Sequence, residues 1–192
     1  MPINKLMNRT NKNNNKGFTL VELIITLTVA AILVMMEAPG LGTWLADNRL
    51  SAQSTQLIAA IRTARSEAVK RMQTITICAS SNVTTANPSC NTTNWEAGWI
   101  IFNDANANAA FDAGEQLLAM GNALTGGTTL RSRNPSNGLV RFSSTGTNIA
   151  ATPNPTSWML CDSRGVNKAK QIQLLASGDV HLSTVPNEET CP

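Results

Sequence analysis

Apolar residues follow four different patterns along the chain. Residues 1–17 are polar and rich in asparagine, and residues 18–36 form an unbroken apolar run, FTLVELIITLTVAAILVMM. From Trp44 the apolar residues recur at helical spacing through Leu45, Leu50, Leu57, Ile58, Ile61, Ala64, Ala68 and Met72, with Arg49, Arg62, Arg65, Glu67 and Lys70 between them. That period describes one face of an amphipathic helix, expected to pack on whatever follows. Beyond Met72 short β-favouring runs are separated by Asn, Gly, Pro and Ser clusters. They predict strands near residues 74–79, 95–102, 115–119, 128–133, 139–143, 157–161, 170–176 and 179–183. Ser177-Gly178 reads as the hairpin turn between the last two.

As a helix, residues 18–36 rise about 28 Å, close to the roughly 30 Å hydrocarbon thickness of a bilayer. The run can therefore span a membrane. Pro39 lacks an amide hydrogen and clashes with the preceding turn, so a kink or melted turn is expected at Glu37-Ala38-Pro39-Gly40. Glu22 is the one charged residue inside the run. A carboxylate in hydrocarbon is costly unless it is neutralised or paired, so Glu22 calls for a partner.

Charge is concentrated before the apolar run. The chain carries a formal +3, and Lys5, Arg9, Lys12 and Lys16 supply four positive charges with no acid among the first seventeen residues. By the positive-inside rule these residues stay cytoplasmic and everything after Met36 crosses the bilayer. After Asp47, eleven Lys and Arg face nine Asp and Glu, so the C-terminal portion is nearly neutral. The net positive charge thus belongs to the leader and does not point to nucleic acid. The four cysteines, Cys78, Cys90, Cys161 and Cys191, all lie beyond the apolar run, and none forms a C-x-x-C pair. Two structural disulfides in an oxidising compartment are expected. Each cysteine is nearest in sequence to the partner it has in a Cys78–Cys90 and Cys161–Cys191 pairing, which is the pairing expected.

Catalytic chemistry is hard to place. His181 is the only histidine, with no nucleophile and orienting acid tied to it. Gly126-Gly127 lacks the Lys-Ser/Thr ending of a phosphate loop. Trp95, Trp99 and Trp158 are expected to fill core or interface positions. These observations speak against an enzyme, and no cofactor is expected. One loop does carry a ligand pattern. Asp104, Asn106, Asn108, Ala110, Asp112 and Glu115 fall at relative positions 1, 3, 5, 7, 9 and 12 of an EF-hand calcium loop. Ala109 replaces the turn-forming glycine, and the flanks read as strands rather than helices. The expectation is a loop that folds without calcium, with those residues as calcium candidates only.

An ordinary secretory signal puts its cleavage site after the apolar core. In this chain Gly17 stands before it, so cutting there keeps the helix. The residues Gly17-Phe18-Thr19-Leu20-Val21-Glu22 closely resemble the type IV prepilin cleavage motif. The resemblance implies that an inner-membrane prepilin peptidase cuts after Gly17 and methylates the new amine of Phe18. It also implies that Glu22 meets the terminal amine of a neighbouring subunit as helices bundle into a filament. Within that class, the stretch WEAGWIIFNDANANAAFDAGEQLL at residues 95–118 is similar to the GspH/FimT family of minor pilins and pseudopilins. Leu160-Cys161-Asp162-Ser163-Arg164-Gly165 and Ser177-Gly178 add to the likeness.

The expected fold is α+β and pilin-like: a long N-terminal helix packed on a small head of two β-sheets. The expected divisions are a leader at 1–17, a transmembrane and filament-core helix at 18–38, an amphipathic helix at 39–72 and a secreted head at 73–192. The family implies a minor pilin that primes a type IV pilus and links tip proteins to the shaft, with other minor and major pilins as partners. It would sit in the inner membrane with its head in the periplasm before moving to the pilus at the cell surface. The alternatives are a GspH-like pseudopilin of type II secretion and a DNA-binding pilin in DNA uptake. Some FimT-type members take up DNA through arginines that follow a glycine near the C-terminus. Here that segment reads Gly178-Asp179-Val180-His181-Leu182, without arginine, so DNA is the less favoured partner. Arg131, Arg133, Arg141, Arg164, Lys168 and Lys170 remain as a basic set that would matter only if it converged.

Overall fold

The computed structural model describes residues 17–133, 138–149, 156–183, 185 and 190–191, with only the backbone for residues 36–39. By internal packing the chain divides into two units, Met1–Thr43 and Trp44–Pro192.

The first unit is the start of helix α1, which runs Leu20–Arg71. Gly17, Phe18 and Thr19 precede it as non-helical chain. Every apolar side chain described in this part is exposed, from Leu20 at 73% to Met35 at 76%. A helix apolar on all sides, with its apolar side chains exposed, is built for lipid or for other helices. Among the described residues no single helix is long and apolar enough to cross a membrane, although Leu20–Met35 and Gly40–Arg71 pass that test together as a broken span. The span expected over residues 18–36 is shortened at its start, because Phe18 and Thr19 lie ahead of the helix. The kink expected at Pro39 falls on residues whose side chains lie outside those described; the backbone there is helical.

In the second unit, α1 buries Leu50, Leu57, Ile58, Ile61, Ala64 and Ala68. Gln53, Ser54 and Ala60 are buried beside them, which widens the stripe read from the sequence. Trp44, Leu45 and Met72 do not join it: they are 60%, 50% and 81% exposed. Met72 is excluded by the way the helix stops. It takes a left-handed φ of 54°, its N–H reaches the Val69 carbonyl, and the Gln73 N–H reaches the Ala68 carbonyl. These two bonds form a Schellman cap, which turns the chain away from the helix axis.

Eight strands follow: β1 Ile75–Ala79, β2 Trp99–Asn103, β3 Leu117–Gly121, β4 Thr129–Ser132, β5 Leu139–Phe142, β6 Thr156–Cys161, β7 Lys170–Leu174 and β8 Val180–Ser183. They make two four-stranded sheets, ordered β3-β2-β1-β5 and β4-β6-β7-β8, with every neighbouring pair antiparallel. The strand expected over 95–102 is divided. Trp95–Ala97 forms a short 3-10 turn, and Gly98, at φ 126°, separates it from β2. A side chain at Gly98 would meet the Gly121 carbonyl at 2.8 Å, so only glycine fits this break.

One core joins helix and sheets. Ile75, Ile77 and Ala79 of β1 alternate toward the same cluster as Ile101, Val140, Phe142, Trp158, Leu160, Ile172 and Leu174, beneath Leu57, Ile61 and Ala64 of α1. Trp95 and Trp158 meet edge to face at 5.3 Å within that core, an arrangement that aligns a positive ring edge with a negative face. The opposite face of the first sheet is covered too, by Cys78, Ile100 and Phe102 packed with Val83, Phe111 and Leu117. Disulfides join Cys78 to Cys90 and Cys161 to Cys191. The first fastens the loop after β1 to the outside of its own strand. The second ties the C-terminal tail to β6.

Candidate functional site

The N-terminal motif is held by local hydrogen bonds. Thr19 Oγ1 accepts the Glu22 N–H at 3.2 Å, while Glu22 Oε2 accepts both the Thr19 N–H and the Thr19 hydroxyl at 3.2 Å. This reciprocal pair is a capping box, with Thr19 as the cap and Glu22 three residues on. Glu22 therefore has an intrachain partner, one the sequence reading missed. The signal was present as Thr-x-x-Glu ahead of an apolar run. A carboxylate in the first turn also faces the positive end of the helix dipole. Phe18 projects from this start at 87% exposure, and Gly17 has open space around it. Farther along, Thr26 and Thr28 return their hydroxyls to the Leu23 and Ile25 carbonyls at 2.9 Å. That satisfies polar groups which a lipid or helix-bundle setting could not.

In the head, side chains of α1 fasten the helix to the loops. Arg49 donates to the Gly126 carbonyl and Gln53 to the Thr125 carbonyl. Arg65 contacts the Gly146 carbonyl, the Ser177 carbonyl and the Asp179 carboxylate, the last at 2.6 Å. Gly178 is the turn residue expected from Ser177-Gly178, and it takes φ 83°. A side chain there would collide with the Gly146 carbonyl at 2.2 Å and with Arg65. Arg65 holds the Asp179 carboxyl below its ordinary value. The segment that would carry DNA-binding arginines thus faces a helix arginine with an acid.

The basic set is divided between the two sheets, and several of its members are paired. Arg131 lies in β4, with Arg133 just after it, in one sheet, and Arg141 lies in β5 of the other. Arg131 is paired with Glu96, and Arg164 with Asp162 and Asp47. Arg141 donates to the Ala107 carbonyl and Lys170 to Ser51 Oγ. His181 is an exposed residue of β8.

The loop 104–115 joins β2 to β3. Asn106 and Asn108 both donate their amides to Asp112 Oδ2, at 3.0 and 2.7 Å. Those two bonds hold the Asp112 carboxyl below its ordinary value. Ala109, which stands where the calcium-loop pattern has glycine, adopts φ 66°, and Ala107 φ 56°. The Asp104 carboxylate makes this conformation affordable by accepting the Ala109 N–H at 3.1 Å. Among the described residues no group of three or more His, Cys, Asp or Glu gathers as a metal cluster.

Comparison with known proteins places these features. Residues 53–178 match the family model described as type II transport protein GspH. Residues 12–36 match the prokaryotic N-terminal methylation motif, which brackets Gly17, Phe18 and Glu22. No curated protein matches the sequence. Among solved structures, the fold is similar to the type IV minor pilin FimU of Pseudomonas aeruginosa in two crystal forms. In the P21 form the TM-score is 0.54 at 19% identity, covering 75% of this chain and 93% of that one. In the P65 form the TM-score is 0.52 at 19% identity, covering 73% and 96%. With its head matched by one family model and its N-terminal helix by the methylation motif, the chain belongs to the GspH family.

Proposed function

We propose that this chain is a minor pilin of a type IV pilus, a structural subunit that primes filament assembly and links tip proteins to the shaft. The observation that carries the reading is the start of α1. A helix with exposed apolar side chains begins at a Thr19–Glu22 capping box, next to exposed Phe18, inside the methylation motif. Prepilin peptidase removes residues 1–17 after Gly17 and methylates Phe18. Residues 18–38 reside in the inner membrane and afterwards in the filament core, while residues 39–72 and the head 73–192 lie in the periplasm and then at the cell surface. Glu22 exchanges its intrachain bonds for the terminal amine of a neighbouring pilin. The role is mechanical, and no catalytic step is assigned.

Glu22→Ala tests this reading. The variant inserts and is cut at Gly17, because losing the charge makes the helix more apolar. Co-purification with the other minor pilins falls, since an ion pair in a low-dielectric setting is costly to leave with one member. Equal co-purification would remove Glu22 from docking and leave helix packing to carry it.

A second reading, a minor pseudopilin of type II secretion, is favoured by the description of the family matched over residues 53–178. Deleting the gene separates the two: loss of surface pili supports the first, and loss of secreted enzymes with normal pili supports the second.

A further inference from the structure

The loop between β2 and β3 holds a carboxylate that its own hydrogen bonds do not satisfy. Asp104 is fully buried. Its Oδ2 accepts from Thr76 Oγ1 at 2.7 Å on β1 and from the Ala109 N–H at 3.1 Å across the loop. The second bond ties the carboxylate to the loop backbone. Its Oδ1 is buried and has no hydrogen-bond partner. A buried anionic oxygen without a donor is expensive, and a cation is the simplest remedy.

Oxygens of the right kind follow in chain order. Among the described residues Asn106 Oδ1 accepts the Asn108 N–H, and Asn108 Oδ1 the Ala110 N–H. Each Glu115 oxygen accepts one N–H, from Ala105 or from Asp112. Carbonyl and carboxylate oxygens have further lone pairs, so each can also face a cation. The left-handed residues Ala107 and Ala109 supply the reversals that the missing glycine would have eased. Phe111, against Phe102 at 5.3 Å, anchors the far side of the loop to β2. Arg141, the basic side chain bonded to the loop, donates to the Ala107 carbonyl, which is not at a ligand position.

We propose that this loop binds one calcium ion, through the side-chain oxygens of Asp104, Asn106, Asn108, Asp112 and Glu115 and the Ala110 carbonyl. The three carboxylates do not gather as the loop stands, so Asp112, at the position that often binds through water, closes toward the ion only when calcium is bound. An all-oxygen donor set of this number suits calcium and excludes zinc, while its adaptable side chains do not impose the tight octahedron magnesium demands. The loop is closed by its own bonds beforehand, so calcium stabilises a fold that already exists. The affinity expected is on the order of 1 mM, the range of extracellular modules.

The test uses the full-length chain in detergent micelles, melted in EDTA, in 10 mM calcium chloride and in 10 mM magnesium chloride. Calcium should raise Tm by about 3–6 °C over EDTA. Magnesium should give less than half that rise. Asp112→Ala and Glu115→Gln are made in parallel, because Asp104 is too buried to alter safely. Both should lose the calcium rise, and Asp112→Ala should melt in EDTA within about 2 °C of the parent, since its carboxylate holds only two exposed amides. Equal Tm in calcium and EDTA, an equal rise in magnesium, or a full calcium rise in Asp112→Ala would each overturn the site.

Discussion

Thr19 and Glu22 cap each other at the start of α1, with the hydroxyl of one and the carboxylate of the other each accepting a backbone N–H at 3.2 Å. A residue that reads from sequence as a charge stranded in hydrocarbon is thus engaged before any neighbour arrives. Under the proposed function Glu22 has two roles in succession: it caps the helix start and then supplies a negative charge to a partner.

Two substitutions separate those roles. Glu22→Gln keeps an acceptor for the Thr19 N–H, since glutamine also serves in a capping box, but removes the charge. Thr19→Ala removes the cap, at a cost of about 0.5–2 kcal/mol to the helix start, and keeps the charge. Co-purification with partner pilins should fall in Glu22→Gln by as much as in Glu22→Ala and should change much less in Thr19→Ala. A larger loss in Thr19→Ala would mean that the position of the helix start matters more than the charge.

The Cys161–Cys191 bridge closes a sequence separation of 30 residues and holds the tail on β6. Its removal in Cys191→Ser should destabilise the head by about 3 kcal/mol, chiefly by freeing the unfolded chain. Thermal melting measures the loss. Non-reducing peptide mapping of the parent should return only Cys78–Cys90 and Cys161–Cys191 peptides, and any cross-pairing would contradict the arrangement.

Acid should weaken the head. Asp162 is held below its usual value first by its hydrogen bond from Arg164, Glu67 by Arg71 and Asp179 by Arg65. Each folded-state value lies below the unfolded one, so the native state binds fewer protons and its stability is lost as pH falls. Tm should stay level from neutral pH down to about 5 and decline below the ordinary carboxylate range of about 4. Asp162→Asn should flatten part of that decline.

Much of this architecture was legible in the chain. Strands β1 to β8 follow from β-favouring runs and from the Asn, Gly, Pro and Ser punctuation between them. The helix stripe from Leu50 to Ala68 follows from its spacing. Where the pattern misled, the reason is local. Apolar spacing carries on through Trp44, Leu45 and Met72, but burial needs something to pack against, and a left-handed cap removes Met72. Trp95-Glu96-Ala97 reads as strand because tryptophan favours β structure, whereas only the positive φ of Gly98 reveals the break. At Ala109 a general preference for glycine was outweighed by a hydrogen bond from its own N–H to the Asp104 carboxylate. Arg65, which ties the helix to the Gly146 and Gly178 turns, looks in sequence like any solvated helix charge.

Ile61 sits with no exposed surface where α1 meets the sheets. Ile61→Ala should cost about 2–5 kcal/mol and lower the melting temperature of the head. Processing at Gly17 should be untouched, because the cut site lies in the other unit.

The central claim is that the chain is handled as a prepilin, and the mass of its mature N-terminus tests it most directly. Intact mass and N-terminal peptide analysis of membrane-extracted protein should show residues 1–17 removed and Phe18 carrying one methyl group on its amine. A mature terminus beyond residue 36, with the apolar helix lost, would contradict the account.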